Sequence, residues 1–245
     1  FPAVKDDELG QLARALDDMQ RQLAQVETAR RRFIATASHE LRTPIFSLGG
    51  FLELLEDEDL DDETRREFVA VVREQVARLG TLATALLDLS RLEAGSLELR
   101  PEATDLGDLA SRVTAEFAPA VDKHDSKLEL RIGSEAIEAV CDPERVAQIL
   151  RILIDNALTH TPAGTGVVVT AARDNGAVRL GVCDDGPGIG SAAAARVFEP
   201  FFTSDDAQGS GLGLAIAREL AERMRGSLDV ETAPGRTTFS LELPA

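Results

Sequence analysis

The sequence predicts a multidomain chain of two classes: an α part made of a long helical hairpin, then an α+β part with helices layered on one sheet face. Three observations carry this expectation. Apolar residues recur every three or four positions across most of residues 9–89. Just past Gly95 the pattern switches, and Ser96–Arg100 alternates as a strand does. From there short helical and strand patterns interleave to the C-terminus.

Leu9, Leu12, Leu16, Met19, Leu23 and Val26 are spaced as an a/d seam. After Phe33 the stripe runs through Ile34, Ala37, Leu41, Ile45, Leu48, Leu52 and Leu55. No Gly or Pro interrupts residues 11–43, so one helix is expected from about residue 8 to about residue 56. Seven of the eight residues from Glu56 to Glu63 are acidic. That run reads as a solvated loop, and its last members suit a helix N-terminus. Phe68, Val72, Val76, Leu79, Leu82, Leu86 and Leu89 mark a second helix, with Gly95 as its C-cap. Two such helices joined by a short polar loop form an antiparallel hairpin. One hairpin buries one seam. Two hairpins bury both in a dimeric four-helix bundle, so a homodimer is expected.

The second half follows in order. Ser96–Arg100 is expected as a strand ending at Pro101. Asp105 caps a helix reaching about Phe117. Lys127–Ile132 alternates as a strand. Asp142-Pro143 opens a helix to about His160, with Pro at its first position. Gly166–Ala172 and Ala177–Cys183 flank Asn175-Gly176, a hairpin turn signal. Residues 212–224 read as helix, and Ser227–Glu231 and Arg236–Leu243 as closing strands. Mixed antiparallel strands with helices between them argue one sheet face covered by helices. The boundary between the parts falls near residues 95–101.

Composition bounds the function. The 245 residues carry a formal net charge of −17. A phosphate surface repels such a chain, so neither nucleic acid nor an anionic membrane is expected as a partner. There is no Trp or Tyr, which removes the stacking platforms of single-strand binders. Cys141 and Cys183 are too few for a disulfide framework; they fit a reducing compartment and read as buried small residues. No run approaches the roughly 18 apolar residues that span a bilayer. A chain beginning at Phe1 is expected to be a piece of something longer, itself without direct membrane contact.

Four constellations carry chemistry. In Ser38-His39-Glu40-Leu41-Arg42-Thr43-Pro44, His39 lies two residues from Ala37 and from Leu41. Two residues turn a helix by about 200°, so His39 faces away from the apolar stripe. Thr43 shares its exposed face, and Pro44 should bend the helix just beyond. Glu40 can draw the proton from one ring nitrogen and leave the other a free lone pair, making His39 a nucleophile. Asp184-Asp185-Gly186-Pro187-Gly188-Ile189 follows a strand, where small residues allow a ligand close to the backbone. Asp184 can accept a hydrogen bond from an exocyclic amine. Gly209-Ser210-Gly211-Leu212-Gly213-Leu214 opens a helix, the arrangement of a phosphate cradle. Asn156, after Asp155, offers a neutral oxygen suited to Mg²⁺. Each has an ordinary reading when taken alone: a surface histidine, a Gly-Pro turn, a flexible loop, a polar helix residue.

Taken in order, these motifs resemble those of the sensor histidine kinases of two-component systems. Phe33–Pro44 resembles the H box, Ile149–Pro162 the N box, and Asp184–Ile189 the first glycine box. Phe198-Glu199-Pro200-Phe201-Phe202 is similar to the F box, and Gly209–Leu214 to the second glycine box. Asp7–Ala13 resembles the end of a HAMP signalling module. The resemblance implies a HAMP-like end at 1–28, a dimerisation and phosphotransfer hairpin at 29–95, and a catalytic, gyrase-like ATP-binding α/β sandwich at 96–245. It implies ATP-dependent autophosphorylation of His39 with Glu40 as general base. The phosphoryl group then passes to an Asp of a response-regulator receiver domain. Thr43 becomes the residue that orients water in a phosphatase reaction on that regulator. Asp184 becomes the adenine reader, Asn156 the Mg²⁺ ligand, and Gly186, Gly188, Gly209, Gly211 and Gly213 the nucleotide-binding glycines. Residues from about 190 to 208 become a lid, hinged and packed by Phe198, Phe201 and Phe202. The fragment is then the cytoplasmic portion of an inner-membrane sensor.

The chain departs from the family pattern at Ile152, where a second Asn is frequent, and at Thr159, where Lys is common. Residues 197–214 hold no Lys or Arg but do hold Glu199, Asp205 and Asp206. Counter-charge for a triphosphate must then come from Mg²⁺, glycine-loop amides, the helix dipole, Arg196 or another segment. The same acidic lid fits an alternative, a catalytically weak dimeric scaffold or a phosphatase-only protein.

Overall fold

The computed structural model describes residues 8–56, 60–133, 137–174, 176–203 and 209–244. The chain divides into two compact units, Phe1–Leu79 and Gly80–Ala245. The first unit holds α1 (Glu8–Leu55) and the opening turns of α2 (Asp62–Glu93). Residues 1–7 of the expected HAMP-like end, Asp7 among them, lie outside the described residues, as do Asp57, Glu58 and Asp59 of the acidic run. Asp61 does the capping expected of that run: its carboxylate accepts from Glu63 N at 3.0 Å and Thr64 N at 2.9 Å. The amide of Thr64 is the foremost cause that holds the Asp61 pKa below the usual 3.8.

Phe51 and Phe68 meet at a centroid distance of 5.3 Å and set the antiparallel register of the hairpin. Phe33, Ala37, Leu41, Leu48 and Leu55 are half-buried along α1, and Pro44 is buried. The remaining stripe residues differ: Ile34, Ile45 and Leu52 stay more than half exposed. The apolar surface is wider than one helix neighbour can cover, so its second flank is left facing outward. Leu12, Leu16, Met19 and Leu23 are exposed in the same way. α1 runs through Pro44 to Leu55 without interruption, although Pro removes one ladder bond.

In the second unit Leu82, Leu89 and Leu92 of α2 are buried. The helix ends in a Schellman arrangement: Ser96 N donates to Arg91 O, Gly95 N to Leu92 O, and Gly95 sits at φ +68°. Arg223 also donates to the Leu92 carbonyl, and Gln148 Nε2 donates to Asp88 at 3.0 Å. The expected strand at 96–100 does not form. Its alternation half-buries Leu97 and Leu99, but Arg100 N donates to the Asp142 carboxylate, not to a neighbouring strand. The strand comes after Pro101, as β1 (Glu102–Asp105), and pairs antiparallel with β3 (Glu138–Cys141).

Local chemistry then sets the starts of α3 and α5. Asp105 caps α3 (Leu106–Glu116) through Gly107 N and Asp108 N, and α4 (Ala118–Lys123) follows it. Asp142 caps α5 (Pro143–His160) through Glu144 N and Arg145 N, with Pro143 in the first turn. β2 (Lys127–Ile132), β4 (Gly166–Asp174), β5 (Ala177–Asp184), β6 (Ser227–Ala233) and β7 (Arg236–Pro244) form one sheet in the order β2-β4-β5-β7-β6. Gly176 supplies the positive φ, +83°, of the β4–β5 turn; its expected partner Asn175 lies outside the described residues. Pairing is antiparallel except for β2 with β4, which is parallel. That pair needs a crossover, and the crossover carries β3 and α5. A short α6 (Ser191–Ala194) precedes α7 (Gly213–Arg223).

α3, α5 and α7 cover one face of the sheet. Ile149, Leu150, Leu153 and Ile154 of α5 are fully buried against β4 and β5, where Val167, Val169, Leu180 and Val182 point inward. Each such side chain contributes on the order of 1.5–3 kcal/mol by leaving water. No helix among the described residues is long and apolar enough to cross a membrane.

Candidate functional site

In the first unit His39 stands on α1 with 75% of its side chain exposed. Its Nδ1 lies 3.8 Å from Glu40 Oε1, and Glu40 Oε2 lies 4.0 Å from Arg78 of α2. These are charge-pairing distances, longer than hydrogen bonds. Nδ1 faces the carboxylate, which leaves Nε2 as the ring nitrogen available to an incoming group. Thr43 donates its hydroxyl to the His39 carbonyl at 3.3 Å, so it shares the exposed face one turn along. Arg78 is the residue that the motif did not reveal. Only the pairing of the two helices brings it level with Glu40.

In the second unit the motifs converge on the C-terminal half of α5. Positions 152, 156 and 160 lie on one face of that helix. A Cβ at Gly213 would stand 3.2 Å from Ile152, and one at Gly209 would stand 3.8 Å from His160 Nε2. Asn156, half-buried, lies midway between these two contacts to the second glycine box. A Cβ at Gly186 would strike Thr161 at 2.7 Å and Asp184 Oδ1 at 2.8 Å. The first glycine box therefore closes on the end of the same helix.

The glycines at positive φ are spatial requirements. A Cβ at Gly188 would come within 2.4 Å of the Ala233 carbonyl oxygen, and one at Gly211 within 2.7 Å of the Phe201 backbone. Phe201 N donates to Gly211 O at 2.8 Å, tying the F box to the second glycine box. Phe201 itself sits at φ +64°, a strained position for an aromatic residue. Phe198 packs edge-on against Phe239 of β7 at 6.2 Å, which anchors the base of the expected lid in the core. Asp205 and Asp206 of that lid lie outside the described residues.

Asp184 ends β5 almost wholly buried. Burial first, and the neighbouring Asp185 charge second among the raising causes, push its pKa above the usual 3.8. The amide of Gly186 opposes them, donating to Oδ1 at 3.0 Å. Leu212, the N-cap residue of α7, offers no side-chain hydrogen bond to the first helical amides, and Ser210 Oγ accepts only from the Leu212 amide, at 3.3 Å; a helix N-terminus in this state can receive an anion. Arg196, one of the candidate sources of counter-charge for the phosphates, pairs with Glu199 at 3.0 Å and stacks over Phe202 at 4.6 Å. His160 reaches the second glycine box instead. Desolvation holds its pKa below the usual 6.5, against the opposing charge of Asp155. His124 is structural, bonded to Ser126 and to the Thr161 carbonyl.

These residues define a phosphoacceptor hairpin and an ATPase-type fold in one chain. Comparison with known proteins agrees. Residues 29–95 match the His Kinase A (phospho-acceptor) domain, and residues 141–245 match the histidine kinase-, DNA gyrase B-, and HSP90-like ATPase. The chain is 35% identical over 236 residues to the sensor protein DivL of Caulobacter vibrioides, covering 95% of this chain and 30% of DivL. It is 34% identical over 229 residues to the sensor-like histidine kinase SenX3 of Mycobacterium tuberculosis, covering 91% of this chain and 55% of SenX3. The crystal structure of full-length ShkA in complex with AMPPNP superposes with a TM-score of 0.67 at 32% identity, over 86% of this chain and 45% of ShkA. The chain belongs to the sensor histidine kinases. It spans about half or less of the length of these relatives.

Proposed function

We propose that this chain is the catalytic portion of a sensor kinase that transfers the γ-phosphoryl group of ATP to His39 and then to an aspartate of a response-regulator receiver domain. The observation that carries the reading is the gathering of both glycine boxes and Asn156 around the end of α5, beside an uncapped helix N-terminus. ShkA, a relative of the same fold, binds the ATP analogue AMPPNP. Asp184 accepts from the adenine amine, and the amides of the second glycine box and the first turn of α7 meet the phosphates. Asn156 would hold Mg²⁺ by its amide oxygen; the ion supplies counter-charge to the phosphates when bound.

In the transfer, His39 Nε2 forms a bond to the γ-phosphorus as the bond to the bridging oxygen breaks and ADP leaves. Glu40 takes the Nδ1 proton, and Thr43 orients water when the regulator is dephosphorylated. The exposed stripe of Ile34, Ile45 and Leu52 is the surface on which a second copy completes the four-helix bundle. In the longer protein this portion lies on the cytoplasmic side of the membrane, behind a HAMP-like segment whose end is residues 1–28.

The test is incubation with γ-labelled ATP and Mg²⁺. Acid-labile, base-stable label is expected on the wild-type chain and none on His39→Gln; label persisting in that variant refutes the assignment. The engagement of Arg196 by Glu199 and Phe202 favours the second reading, a scaffold with impaired phosphate chemistry. Calorimetry decides between them, since a scaffold binds neither ADP nor AMPPNP.

A further inference from the structure

His39 and Glu40 are adjacent on one helix, and neighbours in sequence point about 100° apart. Nothing in α1 alone turns the Glu40 carboxylate toward the imidazole. The second anchor comes from α2. The register set by Phe51 against Phe68 brings Arg78 level with Glu40. One carboxylate oxygen then lies 3.8 Å from His39 Nδ1 and the other 4.0 Å from the Arg78 guanidinium. Glu40 is also the most sheltered of the three, 34% exposed against 75% for His39 and 47% for Arg78. A planar guanidinium suits this task, because it orients a carboxylate as well as attracting it.

We propose that Arg78 is a positioning residue for phosphorylation of His39: it holds the Glu40 carboxylate so that Oε1 faces Nδ1–H and the Nε2 lone pair meets the phosphoryl donor. This rests on the reading of His39 as the phosphoacceptor. Arg78 neither gains nor loses a proton in the step. Its effect passes wholly through Glu40, which sets a strict test of additivity.

The experiment uses the full chain and phosphoramidate, a small phosphoryl donor that needs no nucleotide site. Its P–N bond breaks with release of ammonia as the P–Nε2 bond to His39 forms. Long-range ¹H–¹⁵N spectra of the unphosphorylated chain report the imidazole tautomer. Arg78→Gln should move His39 from the Nδ1–H toward the Nε2–H tautomer and slow phosphorylation about twofold to fivefold, the range for an exposed charge pair. Arg78→Lys should recover part of both effects. Glu40→Gln combined with Arg78→Gln should be no slower than Glu40→Gln alone. An unchanged tautomer ratio in Arg78→Gln, or a double variant slowed by the product of the single effects, overturns the proposal. If His39 were not the ATP acceptor, label from ATP would be missing from the wild-type chain or would persist in His39→Gln while the tautomer shift in Arg78→Gln remained, so the two failures are distinguishable.

Discussion

Replacing Asp184 by Asn should move stability and nucleotide affinity in opposite directions. The carboxylate is buried, and burial disfavours its charged form. Asn keeps the shape and a carbonyl oxygen, so the bond from Gly186 N at 3.0 Å survives. The fold therefore loses no partner and sheds a buried charge. Because the folded pKa lies above the usual 3.8, the native state holds the extra proton between these two values. Wild-type stability from this group falls as pH rises through that window, and Asp184→Asn removes the fall. Affinity behaves otherwise. The remaining carboxylate oxygen is the proposed acceptor for the adenine amine, and Asn can place an NH₂ donor there. A hydrogen bond to a charged group is worth about 1.5–3 kcal/mol, so ADP should bind about 10- to 150-fold more weakly. Asp184→Ala, by contrast, leaves the Gly186 amide unpaired and should cost about 1–3 kcal/mol of stability. Urea unfolding without nucleotide and calorimetry with ADP measure the two effects. Binding of ADP to Asp184→Asn within threefold of wild type, or easier unfolding of that variant at neutral pH, refutes the reasoning.

Asp142→Ala should lower stability by about 2 kcal/mol in thermal or urea unfolding, because the buried carboxylate caps α5 through two amides and also accepts from Arg100 N. His160→Gln should flatten the acid side of the stability profile: the folded pKa lies below 6.5, so the unfolded chain binds more protons between those values and wild-type stability falls as pH drops through them. A slope unchanged in His160→Gln across that window removes the assignment.

Local signals in the sequence carried most of the helices. Asp105, Asp142 and Gly95 act through amides and carbonyls a few residues away, so their caps were legible without a partner. Strand pairing was less so. The alternation at 96–100 was real, but a strand needs a neighbour, and the partner of β1 lies far along the chain at β3. The parallel pairing of β2 with β4 leaves no mark on either segment alone. The candidate site divides in the same way. His39, Glu40, Asp184 and the glycines stood in contiguous motifs. Arg78 entered only through packing, by helix register, and His160, though inside the N-box segment, was tied to Gly209 only by the fold. The single apolar stripe of α1 hid two surfaces, since periodicity reports that a face is apolar and not what covers it.

The strands at the two rims of the sheet have a consequence for how copies of this chain meet. β2 presents Lys127, Glu129 and Arg131 to solvent, with Arg131 paired to Glu129 at 2.7 Å, and β6 presents Asp229 and Glu231 at or near the surface. Charges at every second position discourage one rim from zipping onto another. Edge-to-edge growth of the sheet into ribbons is thereby blocked at both ends, a safeguard against aggregation when many copies crowd together. In the proposed dimer, self-association falls to the outward apolar flank of α1, a two-fold contact that closes on itself instead of continuing without limit.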